Sequence, residues 1–188
     1  MNRQLILVRH SLPQTRQDLP AREWHLSEEG RRRAERLAES LIHEQLDIIF
    51  TSPEPKARET AEILAQRYQL PVRIIEELHE HKRGSVPYLS QQEFEKTVCE
   101  FFERPNVVVF GIESADQAHE RFSRAVDSIL SQHDNSTIAI VAHGTVISLF
   151  VSRLTGQPGY QFWCRLGLPS FVVVDLQSKD LIALENIS

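Results

Sequence analysis

The chain predicts an α/β fold: a three-layer α/β/α sandwich around a mostly parallel sheet. Three observations carry this. Short apolar runs alternate with helix-period segments from Leu5 to Leu154. That order is the one in which helices act as crossovers between parallel strands. The last two apolar runs, Phe171 to Leu176 and Leu181 to Leu184, are joined by a short turn at Ser178 to Asp180, as in an edge hairpin.

Taken in order, Leu5 to Val8 is a short apolar run suited to a buried strand, and Ser11 to His25, with Pro13 and Pro20, is a loop. Ser27 caps a helix that opens on Glu28 and Glu29 and shows an apolar face through Ala34, Leu37, Ala38 and Leu41. Leu46 to Phe50 is a second strand. Ser52 as N-cap and Pro53 at the first helical position open a second helix that carries Ala57, Ala61 and Leu64. Val72 to Ile75 is a short third strand. From Glu76 to Gly111 the pattern weakens, although Gln91 to Phe102 reads as an amphipathic helix. Ser114 to Gln117 fits a capping box ahead of a helix through Phe122, Val126 and Leu130. Thr137 to Ala142 is a strongly apolar strand, and His143-Gly144 leads into a helix that ends near Leu154. The 188 residues suit one domain, 1–188, with a possible lid or insertion at 80–113.

Composition narrows the function. The formal net charge of -5 lacks the basic excess of a nucleic-acid binder. Cys99 and Cys164 lie far apart without CxxC spacing, which argues against a zinc site or a disulfide framework and favours a reduced, cytoplasmic setting. No signal-like segment opens the chain, and no run approaches the ~20 apolar residues of a membrane span.

In open α/β sheets ligands gather beyond the carboxyl ends of the strands. That singles out Arg9-His10, the Thr51 to Arg58 turn and helix start, and His143-Gly144. His10 can be a surface or packing histidine at a strand end, or a neutral imidazole nucleophile with Arg9 beside it to hold a phosphate oxygen. Arg58, one turn into a helix whose N-terminus suits an anion, can lean back toward it, or can be an exposed charge paired with Glu54 or Glu62. His143 can orient a phosphate or be a packed histidine.

Together these motifs resemble the histidine phosphatase superfamily, which includes phosphoglycerate mutases and many small-molecule phosphatases. The marks are Leu7-Val8-Arg9-His10, the Thr51-Ser52-Pro53 block ending at Arg58-Glu59-Thr60-Ala61, and Ala142-His143-Gly144. Leu26-Ser27-Glu28-Glu29-Gly30 and Glu113-Ser114 followed by Arg121 agree with it.

The resemblance implies a phosphoglycerate mutase-like fold, and His10 as a nucleophile that becomes phosphohistidine. It makes Arg9, Arg58 and His143 the phosphate holders, and places an acid at Glu80 within Leu78-His79-Glu80-His81-Lys82-Arg83-Gly84. Glu76 and Glu77 are rivals for the acid. The implied activity is metal-independent hydrolysis of a small phosphomonoester. A mutase and a non-catalytic phosphate binder are the alternatives. No cofactor or metal is implied, the partner is a small phosphorylated substrate rather than nucleic acid or membrane, and the oligomeric state is open. Two positions depart from the family pattern: Ser11 follows the nucleophile where glycine is usual, and Arg16 replaces an asparagine. Lys82, Arg83 and Arg16 are candidates for a second anionic group, and Trp24, Tyr88, Phe162 and Trp163 for a pocket wall or core.

Overall fold

In a computed structural model that describes residues 4–84 and 89–188, six strands form one sheet. In chain order they are β1 (Gln4–Arg9), β2 (Ile48–Thr51), β3 (Val72–Ile74), β4 (Ile138–Ala142), β5 (Ser170–Asp175) and β6 (Leu181–Asn186). The spatial order is β3-β2-β4-β1-β5-β6. The first four strands run parallel, and β5 and β6 run antiparallel to their neighbours. The helices are α1 (Glu28–Ser40), α2 (Pro55–Tyr68), α3 (Gln91–Glu103), α4 (Ala115–Gln132), α5 (Gly144–Thr155) and α6 (Gly159–Arg165). The short helix α6 has no counterpart in the sequence reading. The late hairpin does, with β6 at the edge and β5 inside the sheet. Tyr88 lies outside the described residues.

The strand period of two explains the layers. Leu5 and Leu7 of β1 join Phe50, Ile138 and Ile140 against Phe122 and Val126 of α4 and Val146, Ile147 and Phe150 of α5. Ile6 and Val8 join Ile49, Ala139 and Val141 against Leu37 and Ala38 of α1 and Ala57, Ala61 and Leu64 of α2. Every residue of β4 is buried, as a central parallel strand covered on both faces requires. A smaller cluster, Val98, Phe101, Phe110, Ala115, Ala118 and Leu149, fixes α3 beside α5.

Capping is partly as expected. The Ser27 side chain accepts from Gly30 N–H, and Ser114 and Gln117 form a complete capping box. At α2 the expectation shifts by two residues: Glu54 is the N-cap and Pro55 opens the helix. Ser52 lies two residues earlier, where its buried hydroxyl accepts Glu54 N–H at 3.2 Å and meets His143 at 2.7 Å.

Gly30 sits where α1 passes the loop after β1. A Cβ there would stand 2.0 Å from the Leu12 carbonyl oxygen, which is backbone and cannot swing aside. Gly30→Ala is therefore expected to destabilise the protein by about 2 kcal/mol or more, measured by urea unfolding. A loss within about 0.5 kcal/mol would contradict this close packing.

Candidate active site

Three neighbouring strands deliver the site. β4 lies between β1 and β2, and Arg9 is in register with Ala142 while Thr51 is in register with Val141. The ladder continues one residue past the strands: His10 N–H donates to Ala142 O and Ser52 N–H to Val141 O, both at 3.0 Å. His10, Ser52 and His143 thus leave the same edge of the sheet side by side. The two imidazole centroids are 5.1 Å apart.

His10 is 7% exposed, and its Nδ1 lies 2.7 Å from Ser11 O. A carbonyl only accepts, so Nδ1 carries the proton and the Nε2 lone pair is free. Burial, then the charges of His143, Lys56 and Arg9, lower its pKa well below the ordinary histidine value, which keeps the ring neutral. Serine serves at position 11 because its backbone does not have positive φ. Its N–H donates to Thr60 Oγ1 at 3.0 Å, and its hydroxyl donates to Gly30 O at 2.6 Å.

His143 is fully buried, and burial foremost lowers its pKa well below the ordinary value. Ser52 Oγ accepts from Glu54 N–H at 3.2 Å and lies 2.7 Å from His143 Nε2. We assign the hydroxyl proton to that bond, which places the ring proton on Nδ1. His143 Nδ1, Arg9 Nε and Arg83 Nε are all buried and without a partner among the described residues. Arg9 Nη1 donates to Leu166 O at 2.5 Å, and the guanidinium packs over Gly144, where a Cβ would come within 2.9 Å of Nε. Burial lowers the Arg9 pKa to about 10, so it stays charged at neutral pH. Unpaired buried polar atoms are costly, and here Arg9 and Arg83 line one cavity with His10 while His143 packs against the His10 ring.

Arg58 does not belong to this group. Its side chain is 47% exposed, lies 3.7 Å from Glu62, and is absent from the cavity wall. This placement is that of an exposed helix charge beside Glu62. Lys56 stands at the wall instead, with its side chain 7% exposed. Its ammonium donates to Ala21 O at 2.7 Å and pairs with Glu54. Two positions on an α-helix differ by about 200°, so only one of the pair can face the cavity. Thr60, four residues after Lys56 on the same face, turns the same way, and its hydroxyl receives Ser11 N–H. Arg16 is also elsewhere, exposed and paired with Asp18 at 2.5 Å.

Glu80 is placed at the wall with a side chain only 14% exposed, whereas Glu76 and Glu77 are exposed. Its Oε1 accepts from His81 N–H at 2.8 Å, and its Oε2 from Thr145 N–H at 3.2 Å in the first turn of α5. Burial pushes its pKa up, but Arg83, His143 and the His81 N–H outweigh it, so the net shift is downward. In the free protein the carboxyl is therefore ionised at neutral pH. The flanking histidines do not converge with it on a metal: His79 Nδ1 is 2.7 Å from Glu80 O, and His81 packs 4.4 Å from the Phe101 ring.

Arg121 of α4, a buried residue, holds the loop that carries Glu80. It donates to Glu77 O at 2.6 Å, His79 O at 3.0 Å and Glu80 O at 3.4 Å, and pairs with Glu113 at 2.7 Å. Glu113 in turn accepts Lys82 N–H at 2.8 Å.

A family model described as histidine phosphatase superfamily (branch 1) matches residues 5–184. Phosphoserine phosphatase 1 of Hydrogenobacter thermophilus is 29% identical over 143 residues, which are 73% of this chain and 68% of that protein. The adenosylcobalamin/alpha-ribazole phosphatase of Escherichia coli is 26% identical over 161 residues, 82% of this chain and 79% of that protein. A solved mycobacterial glucosyl-3-phosphoglycerate phosphatase shares the fold with a TM-score of 0.78 at 22% identity, covering 98% of this chain and 97% of that one.

The exchange of Arg58 for Lys56 is open to a direct measurement. Lys56→Met is expected to weaken binding of inorganic phosphate roughly tenfold or more by calorimetry, the size of a lost charged hydrogen bond. Arg58→Ala should leave it within about twofold, as a solvated helix charge does. The reverse order would return Arg58 to the site.

Proposed function

Because the chain belongs to the histidine phosphatase superfamily, we propose that it hydrolyses a small phosphomonoester through a phosphohistidine at His10. The observation that carries this is the free Nε2 of His10 in a cavity shared with Arg9 and Arg83 and beside His143, each of which has a buried nitrogen without a partner among the described residues. The phosphatase names of the relatives support the same reading.

In the first step His10 Nε2 attacks phosphorus in line, the N–P bond forms, and the P–O bond to the alcohol breaks. The ring then carries positive charge, which Ser11 O stabilises through Nδ1–H. Arg9, Arg83, Lys56 and the His143 Nδ1–H meet the three phosphoryl oxygens. The leaving oxygen takes its proton from Glu80. That proton comes with the substrate: a phosphate ester has its second pKa near 6, and its negative charge raises the pKa of the carboxyl it approaches. In the second step ionised Glu80 takes a proton from water, the oxygen attacks phosphorus, the N–P bond breaks, and His10 returns to its neutral form. Exposed residues such as Ile112 border the cavity and leave water a route in, which favours hydrolysis over return to a second hydroxyl.

Replacing the nucleophile by His10→Ala should lower kcat on the order of 10³-fold or more. The wild-type protein should yield an acid-labile, base-stable labelled phosphoenzyme. Retained turnover in the variant would remove His10 from the chemistry. Glu80→Gln should slow alkyl phosphates on the order of 10²- to 10⁴-fold but p-nitrophenyl phosphate far less, since that leaving group needs no proton. Equal losses on both would count against Glu80 as the acid.

The pH dependence has a definite sign. His10 has a lowered pKa and remains nucleophilic down into the acid range, whereas Glu80 is ionised in the free protein at neutral pH. So kcat/KM should be highest below about pH 6, where the ester retains its second proton, and fall as pH rises. A profile that rises through neutrality would contradict this proton supply.

A further inference from the structure

The cavity is much larger than a phosphoryl group needs. It encloses about 630 Å³, inside the range of roughly 300–1,000 Å³ that holds drug-sized ligands. Besides the charged residues around His10, Arg22, Glu23, Glu76 and Lys82 border it. Much of the remaining wall is apolar, with Pro20, Trp24, Phe94, Ile112, Trp163 and Leu168 contributed by three separate parts of the chain. Resting on the phosphatase reading above, we propose that this wall is a leaving-group site for phosphomonoesters of alcohols that carry a flat aromatic or heteroaromatic ring.

The aromatic faces are preformed. Trp24 Nε1 donates to Arg16 O at 2.9 Å and Leu19 O at 3.1 Å, which holds the indole in place. The loop behind it is fixed on α2, because Lys56 N–H donates to Trp24 O and the Lys56 ammonium to Ala21 O. Phe94 stands on α3, whose start is secured by the Ser90–Glu93 capping box. One face of Phe94 meets the Arg83 guanidinium at 4.6 Å, and Trp163 of α6 meets it edge-on with centroids 6.0 Å apart. Tyr160 stacks on Trp163 from the same helix. Rigid aromatic side chains near a fixed phosphate site bind a planar group with little further ordering. A short carboxylate-bearing alcohol gains none of this contact.

The test measures affinity apart from turnover. Benzyl phosphate, adenosine 5′-monophosphate and O-phosphoserine are all esters of a CH₂–O group, so they compare the ring with little change at the leaving oxygen. On the His10→Ala protein, calorimetry should find the two ring esters bound roughly tenfold or more tightly than O-phosphoserine, the scale of one stacked ring. Trp163→Ala should shrink that ratio severalfold. Phe94→Leu, which preserves bulk in the small core and guards against misfolding, should shrink it as well. Equal or reversed affinities, or a ratio that neither substitution moves, would overturn the proposal.

Phosphate release by the wild-type protein is read separately. Selective ring binding with no release from any ester leaves this site standing and refutes the phosphatase reading. Release from all three, with O-phosphoserine bound as tightly as the ring esters, does the opposite.

Discussion

The hydrogen-bonded register of β1, β4 and β2 is the constraint on which the site depends. Parallel pairing sets Arg9 beside Ala142 and Thr51 beside Val141, and the ladder runs on through the His10 and Ser52 amides. Three segments far apart in the chain therefore end at one edge, in one plane, with their next side chains in reach of each other. The strands can hold that register because both faces of the sheet are filled. A slip of one residue would turn Leu5 and Leu7 toward the helices that Ile6 and Val8 now meet.

On that frame the electrostatics divide into groups that are satisfied and groups that are not. Glu54 and Lys56 pair within the wall, Glu113 and Arg121 pair beneath the Glu80 loop, and Glu80 caps the first turn of α5. These contacts define where the charges sit rather than adding much stability, since a buried ion pair returns little beyond its desolvation. What they leave is a set of donors on Arg9, Arg83 and His143 that no described protein group meets. The same surroundings keep His10 neutral and Glu80 ionised in the free protein, the starting state that the proposed phosphatase reaction requires.

Much of the fold was legible because burial leaves a periodic trace. Strand positions followed from short apolar runs, and the Ser114 capping box and the helix faces from side-chain types at fixed offsets. The strand ends that carry His10 and His143 were readable for the same reason: an apolar run stops where a polar residue reaches the rim. Less legible were α6, which is short, and the cap of α2, where the helix starts two residues later because Ser52 is drawn into contact with His143, 91 positions away in the chain.

By itself the sequence determined the layers, the nucleophile candidate and the Glu80 loop, because each depends on neighbours within a few residues. The tertiary structure decided which cation of α2 faces the anion site, since Lys56 and Arg58 are both plausible until the helix docks and its rotation is set. It also decided that Ser11 can stand where glycine is usual, through bonds to Thr60 and Gly30, and that Trp24, Phe94 and Trp163 share one wall. Rotation of a helix about its axis and contact between distant segments are fixed by packing, and a linear pattern carries no record of them.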